Sequence, residues 1–257
     1  MKLLYTLILL ISAGITGNAQ VVSFEIDSAK FNKPLMSILD SLYKVDQLSR
    51  YNYLEAIKKK ADAARADSLL AIMRKQDLEN LRAAKAIIAK HGWLGPQDVG
   101  MNASQGLFLI IQHADLKTQE AYLPLIRTAE KQGKLLSSNL AILEDRVRMR
   151  KGLKQLYGSQ GFSDKETGKK YFYPIEAPDG VDDRRKSMGL IPMQEYAKAM
   201  NIAWDLEAYK RMLPEIERVA ARQQRWLLIA LRWIAIAIIY DFSRCLKHYT
   251  SFCVLQF

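Results

Sequence analysis

Pro34-Leu35-Met36-Ser37-Ile38-Leu39-Asp40-Ser41-Leu42 is the stretch that decides the fold. Leu35, Ile38, Leu39 and Leu42 fall at i, i+3, i+4 and i+7, the stripe of an amphipathic helix. Pro34 suits the first turn of that helix. Neither Gly nor Pro interrupts the chain from there to Lys90, where His91-Gly92 and Pro96 stop it. An unbroken helix of that length is uncommon. Two or three helices are therefore expected, with breaks near Arg50–Tyr53 and Ala63–Asp67.

The pattern continues toward the C-terminus. After a loop from Gly92 to Gly100, Asn102 or Ser104 is expected to cap a helix running through Gly106–Ile111 to about Ala114. Lys117–Lys131 reads as the next helix, closed by Gly133, with Pro124 marking its start or a kink. Ser138–Lys151 follows and stops at Gly152. Residues 152–193 differ, with glycines at 152, 158, 161, 168, 180 and 189 and prolines at 174, 178 and 192. Within them Gln155-Leu156-Tyr157 and Tyr171-Phe172-Tyr173 read as two strands of a hairpin around Ser163–Lys169. Long irregular segments of this kind are often functional. Helix resumes over Pro192–Met200 and Leu206–Arg225, with a break near Pro214. The expected fold is mainly α: one multi-helix globular domain over residues 20–225, with a Gly/Pro-rich insertion holding a small β-hairpin.

Toward the N-terminus lies an address. Lys2 precedes an apolar run, Leu3–Ile11, and Gly17 and Ala19 are small residues at −3 and −1 of a cut before Gln20. This is the layout of a secretory signal peptide over residues 1–19. The run is too short to span a bilayer comfortably. The expectation is export, to the periplasm or beyond.

The chain has 257 residues, 49% hydrophobic and 25% charged, with a formal net charge of +11. This is ordinary globular usage and excludes collagen, disulfide-scaffold and wholly disordered classes. Almost half of the positive excess lies in the last forty residues, so the body is only mildly basic. Export and that mild charge argue against a nucleic-acid partner. In the tail, Trp226–Tyr240 carries one charge, Arg232, and is short for a bilayer core. Its tryptophans beside Arg218, Arg222 and Arg225 describe a helix lying on a membrane surface. A packed helix accounts for the same apolar content. The unlike composition of Asp241–Phe257 also suits a frame-shifted sequence. Cys245, His248 and Cys253 are one ligand short of a tetrahedral metal site, so neither a metal nor another cofactor is expected.

Chemistry-bearing residues cluster in the second half. His113, in Gln112-His113-Ala114-Asp115, ends an apolar helix and reads as a general base oriented by a carboxylate from elsewhere. A helix-end His is equally well placed by the helix dipole. Asp145, bracketed by Leu143 and Val147, reads as inward-facing and in need of a partner, with Arg184 or Arg185 the natural choice. Arg146 lies on the same charged helix end, a pattern that ordinarily describes a solvated face. Asp182, Arg184 and Arg185 follow a Pro178-Asp179-Gly180 turn. Arginines there either fork onto a ligand anion or pin the loop.

Taken together these motifs resemble a bacterial family of unknown function found in exported and cytosolic proteins. The resemblance is carried by Gly92-Trp93, Val99-Gly100 with Ala103-Ser104, Gln112-His113-Ala114-Asp115 with Leu123-Pro124-Leu125, Asp145-Arg146-Val147 with Gly152, Gln155-Leu156-Tyr157-Gly158-Ser159-Gln160, Pro174-Ile175-Glu176, and Val181-Asp182-Asp183-Arg184-Arg185 with Gly189-Leu190. It spans residues 70–200 and implies positions rather than an activity. The reading favoured is a cell-envelope binding or structural module for a polar or anionic ligand. The alternative is a hydrolase, with His113 as base, Asp145 or Asp182 as its partner, and Gln112, Asp115, Arg146, Gln155, Tyr157, Arg184 and Arg185 around the ligand. A third reading is a peripheral membrane protein held by Trp226–Tyr240.

Overall fold

The structure is a computed structural model that describes residues 24–240, with side chains to Gln223. The leader at 1–19 and the segment 241–257 lie outside the described residues, as do the side chains of Trp226–Tyr240. Nine α-helices and two strands follow in order among the described residues: α1 (Lys33–Lys58), α2 (Ala63–His91), α3 (Pro96–Val99), α4 (Met101–His113), α5 (Leu116–Lys131), α6 (Ser137–Arg150), β1 (Gly161–Ser163), β2 (Lys170–Phe172), α7 (Val181–Ser187), α8 (Met193–Met200) and α9 (Leu206–Tyr240). The fold is mainly α with one small antiparallel hairpin, as expected. No helix among the described residues is long and apolar enough to cross a membrane.

Local chemistry sets the helix ends. Asn32 Oδ1 accepts from Leu35 N at 3.2 Å, Asp62 Oδ1 from Arg65 N at 2.8 Å, and Asp115 Oδ1 from Thr118 N at 2.7 Å. Each satisfies an amide that a helix start leaves unpaired. The break expected at Arg50–Tyr53 is absent. Arg50 turns inward to acidic partners and Tyr53 is buried, so α1 runs on through this polar stretch rather than ending there. The chain turns only at residues 59–62, where Lys60 takes a positive φ of 54°. Pro124 and Pro214 sit inside α5 and α9 on their exposed faces, where water can take the carbonyl each proline leaves unpaired. Neither Asn102 nor Ser104 caps α4; Gly100, at φ 81°, precedes it and Ser104 is buried. The hairpin is shifted from its expected register. Gly161 pairs with Phe172 and Ser163 with Lys170. Gln155 instead makes an isolated parallel bridge to Ile175.

Two large apolar cores result. Leu39, Leu107, Phe108, Ile111, Ile126 and Leu143 fill the space between α1, α2, α4, α5 and α6. Phe162, Phe172, Ile175, Met193 and Ile216 join the hairpin to α8 and α9. The functional groups gather where these two halves meet.

Gly106 allows α4 to lie against α1. A Cβ there would sit 2.7 Å from Tyr43 Cβ and 3.3 Å from the Leu39 carbonyl. Gly106→Ala must therefore push α1 away, and overpacking of this kind costs about 1–3 kcal/mol. Urea denaturation is expected to show that loss, in spite of the better helix propensity of Ala.

Candidate functional site

Three helices bring one charged layer together. From α1, Arg50 Nη2 donates to Asp46 Oδ1 at 3.2 Å and to Asp77 Oδ1 of α2 at 2.7 Å. Arg50 Nε donates to Nδ1 of His113, the last residue of α4, at 2.9 Å. The same Nδ1 lies 3.0 Å from Asp46 Oδ1. Asp46 is fully buried, and Gln47 Nε2 donates to its second oxygen. His113 retains 17% side-chain exposure. No hydrogen bond from the described residues reaches its Nε2.

Burial and neighbouring charge separate these groups. Burial opposes the charge of Asp46, but His113 and Arg50 beside it outweigh that cost and hold the carboxyl below its ordinary value. Burial pushes Asp77 the other way, and the charge of Asp46 adds to it against the pull of Arg50. Asp46 is therefore the stronger acid of the two carboxyls that flank one guanidinium. Burial holds the His113 imidazole below its ordinary 6.5, with Arg50 and Arg146 reinforcing this and Asp46 opposing it. The ring is neutral at neutral pH. A neutral imidazole can serve only one neighbour at Nδ1. If it accepts from Arg50, the proton sits on Nε2; if it donates to Asp46, Nε2 keeps its lone pair.

The next turn of the site comes from α6 and α8. The Arg146 side chain makes no hydrogen bond and no ion pair with any described residue, and its Nε is fully buried. Burial, with the charges of Arg150 and Arg50, pushes its guanidinium down to about 10, so it remains a cation at neutral pH. Arg150 Nη1 donates to the Ala114 carbonyl at 2.8 Å, tying the end of α6 to the end of α4. Tyr196 of α8 donates to Ser159 O at 2.8 Å and lies under the Arg185 guanidinium, 4.7 Å from ring centroid to Cζ. Burial raises its phenol, and Arg146 and Arg185 both pull against this.

Most of the other expected ligand residues anchor the irregular segment. Asp145 is fully buried, and it accepts from the amides of Leu156 at 2.6 Å, Tyr157 at 3.0 Å and Ser159 at 2.9 Å. Those amides are its partners, in place of the expected Arg184 or Arg185. Burial raises its carboxyl in spite of the donors. Arg184 donates to the carbonyls of Leu156, Glu176 and Ala177, and Arg185 to those of Ile191 and Tyr157. Asp182 Oδ1 accepts from Met193 N at 2.7 Å and so caps α8. The Gln155 amide donates to the Gln160 and Tyr173 carbonyls and accepts from Gln160 N. Tyr157 Oη donates to Glu144. Asp115 caps α5, and the Gln112 carbonyl accepts from buried Gln119. The carboxylate beside His113 is thus Asp46, on a helix that offered no motif. Its signal is its spacing: Leu39, Leu42 and Asp46 share one stripe, so an acid stands where an apolar residue belongs.

A model described as a family of unknown function, DUF6624, matches residues 35–209. The chain belongs to that family. The DUF6624 segment contains Asp46, Arg50, Asp77, His113, Arg146 and Tyr196, and so the whole charged junction. No curated protein and no solved structure matches the chain. Among the described residues no three His, Cys, Asp or Glu side chains converge as metal ligands.

Three consequences can be measured. Asp145→Ala leaves buried amides unpaired and is expected to cost about 2–4 kcal/mol of unfolding free energy. Asp182→Ala removes one helix cap and is expected to cost about 1 kcal/mol. In a pH series, the unfolded chain protonates His113 before the folded chain does, so stability falls as pH drops below 6.5 toward the lower folded value. Denaturation of His113→Gln between about pH 7 and pH 5.5 is expected to show a flatter decline than wild type.

Proposed function

We propose that this chain binds a small oxyanion, a carboxylate or phosphate group, where α1, α4, α6 and α8 meet, and that it acts as a binding module of the cell envelope. One observation carries the reading: Arg146 is a cation with a buried Nε and no acidic partner. Removing a cation from water costs free energy that a counter-anion offsets. The edge of a guanidinium matches two oxygens of a carboxylate or phosphate. Arg150 adds a second positive charge, and the open Nε2 of His113 adds a further polar contact. The envelope assignment rests on the leader pattern of residues 1–19.

A hydrolytic reading has one observation in its favour. His113 Nδ1 lies against Asp46 while Nε2 is open, the disposition of a general base. In that reading Asp46 takes the place of Asp145 and Asp182.

Titration calorimetry of the full chain with inorganic phosphate and with acetate tests the proposal. Arg146→Met is expected to weaken binding by about 30-fold, the equivalent of about 2 kcal/mol for a charge-assisted pair. Equal affinity in wild type and a folded Arg146→Met overturns it. The same proteins, with His113→Gln, assayed on nitrophenyl esters and phosphates decide the hydrolytic reading, which requires turnover that His113→Gln abolishes.

A further inference from the structure

We propose that the anion is a dianion of the phosphate-monoester class, and that it binds together with one proton taken from solvent, carried by His113 as an imidazolium. This rests on the anion-site reading above and adds the ligand's charge and its coupling to pH.

The geometry around the ring has a place for both protons. In the imidazolium, Nδ1–H donates to Asp46 Oδ1 across the existing 3.0 Å contact. Arg50 then keeps its bonds to Asp46 and Asp77. Nε2–H is left pointing at no protein acceptor among the described residues, on the side of the ring that is open. The missing acceptor is a ligand oxygen.

The charges lead to the same conclusion. Asp46 and Arg50 of α1, Asp77 of α2 and His113 of α4 form one bonded group. With the ring neutral, two carboxylates face one guanidinium. With the ring protonated, the group is balanced. Arg146 and Arg150 of α6 then remain as cations without an acid bonded to them. Asp115, the acid that acts on Arg150, is exposed and engaged by Thr118 N. The Tyr196 hydroxyl, facing from α8, is occupied by the Ser159 carbonyl. Two such cations match one dianion. Arg50 and Arg146 oppose the ring's proton. A dianion against Arg146 screens that opposition, and by linkage the proton strengthens anion binding as much as the anion strengthens proton binding.

Sulfate and methanesulfonate separate the variables, because they share a shape, differ by one charge, and do not titrate near neutrality. Calorimetry on the full chain at about pH 7.5 and pH 6 is expected to show sulfate affinity rising toward tenfold per pH unit, the limit for one coupled proton. Methanesulfonate is expected to bind more weakly, with a flatter pH response. In His113→Gln, or His113→Asn if the first does not fold, sulfate still binds but its pH dependence is lost. Proton NMR of the His113 ring is expected to show it becoming charged as sulfate is added at pH 7. Sulfate affinity that is equal at both pH values in wild type, or a pH dependence that survives in folded His113→Gln, overturns this inference while leaving the anion site standing. Absence of any Arg146-dependent binding of either anion overturns the anion site itself.

Discussion

Arg50 must satisfy two carboxylates and one imidazole from a single guanidinium, and those partners come from three different helices. A planar fork with fixed donor directions permits that only if α1, α2 and α4 hold one rotation and one height relative to each other. Gly106 provides the close approach of α1 and α4 that this needs. The layer is poor evidence for stability as such, because buried charges lose water when they pair. What it provides is register. Apolar stripes of Leu and Ala tolerate sliding by a turn, whereas Asp46, Arg50, Asp77 and His113 fit at one setting.

The second half is organised by a different device. Asp145 projects from α6 into a loop with little regular structure and collects three amides within four residues. Gln155, Arg184 and Arg185 then close the remaining carbonyls of that loop. Side chains supply this loop with the partners that strands would otherwise supply. Ser159 ties Tyr196 to that loop, and Tyr196 in turn interacts with Arg146. The junction therefore has one wall set by an ionic layer and the other by a pinned loop.

The sequence showed the helices well and the site only partly. The stripe at Leu35, Ile38, Leu39 and Leu42, together with the Gly and Pro stops, was enough for a mainly α chain, because burial periodicity survives any detail of packing. The polar run at Arg50–Tyr53 misled for a physical reason. Local composition cannot distinguish a solvated interruption from a polar residue bonded across the interior. His113 and Arg146 stood out by position, but the acid beside His113 lies 67 residues away on α1, and no local spacing encodes that distance. Asp145, Arg184 and Arg185 were legible as residues in need of partners. That their partners would be main-chain groups was not, since backbone amides leave no mark in composition.

Arg50 also divides α1. On one side the helix lies in the large core beneath α4, which ends at His113. On the other, the paired ends of α1 and α2 share a small cluster of Tyr53, Leu70 and Met73, and the surface there exposes Tyr51 and Leu54. So little buried area cannot hold that tip as firmly as the body. The ionic layer is thus where a fault line is expected: the tip beyond it should open more readily than the body, with slow amide hydrogen exchange expected from the Arg50 layer inward.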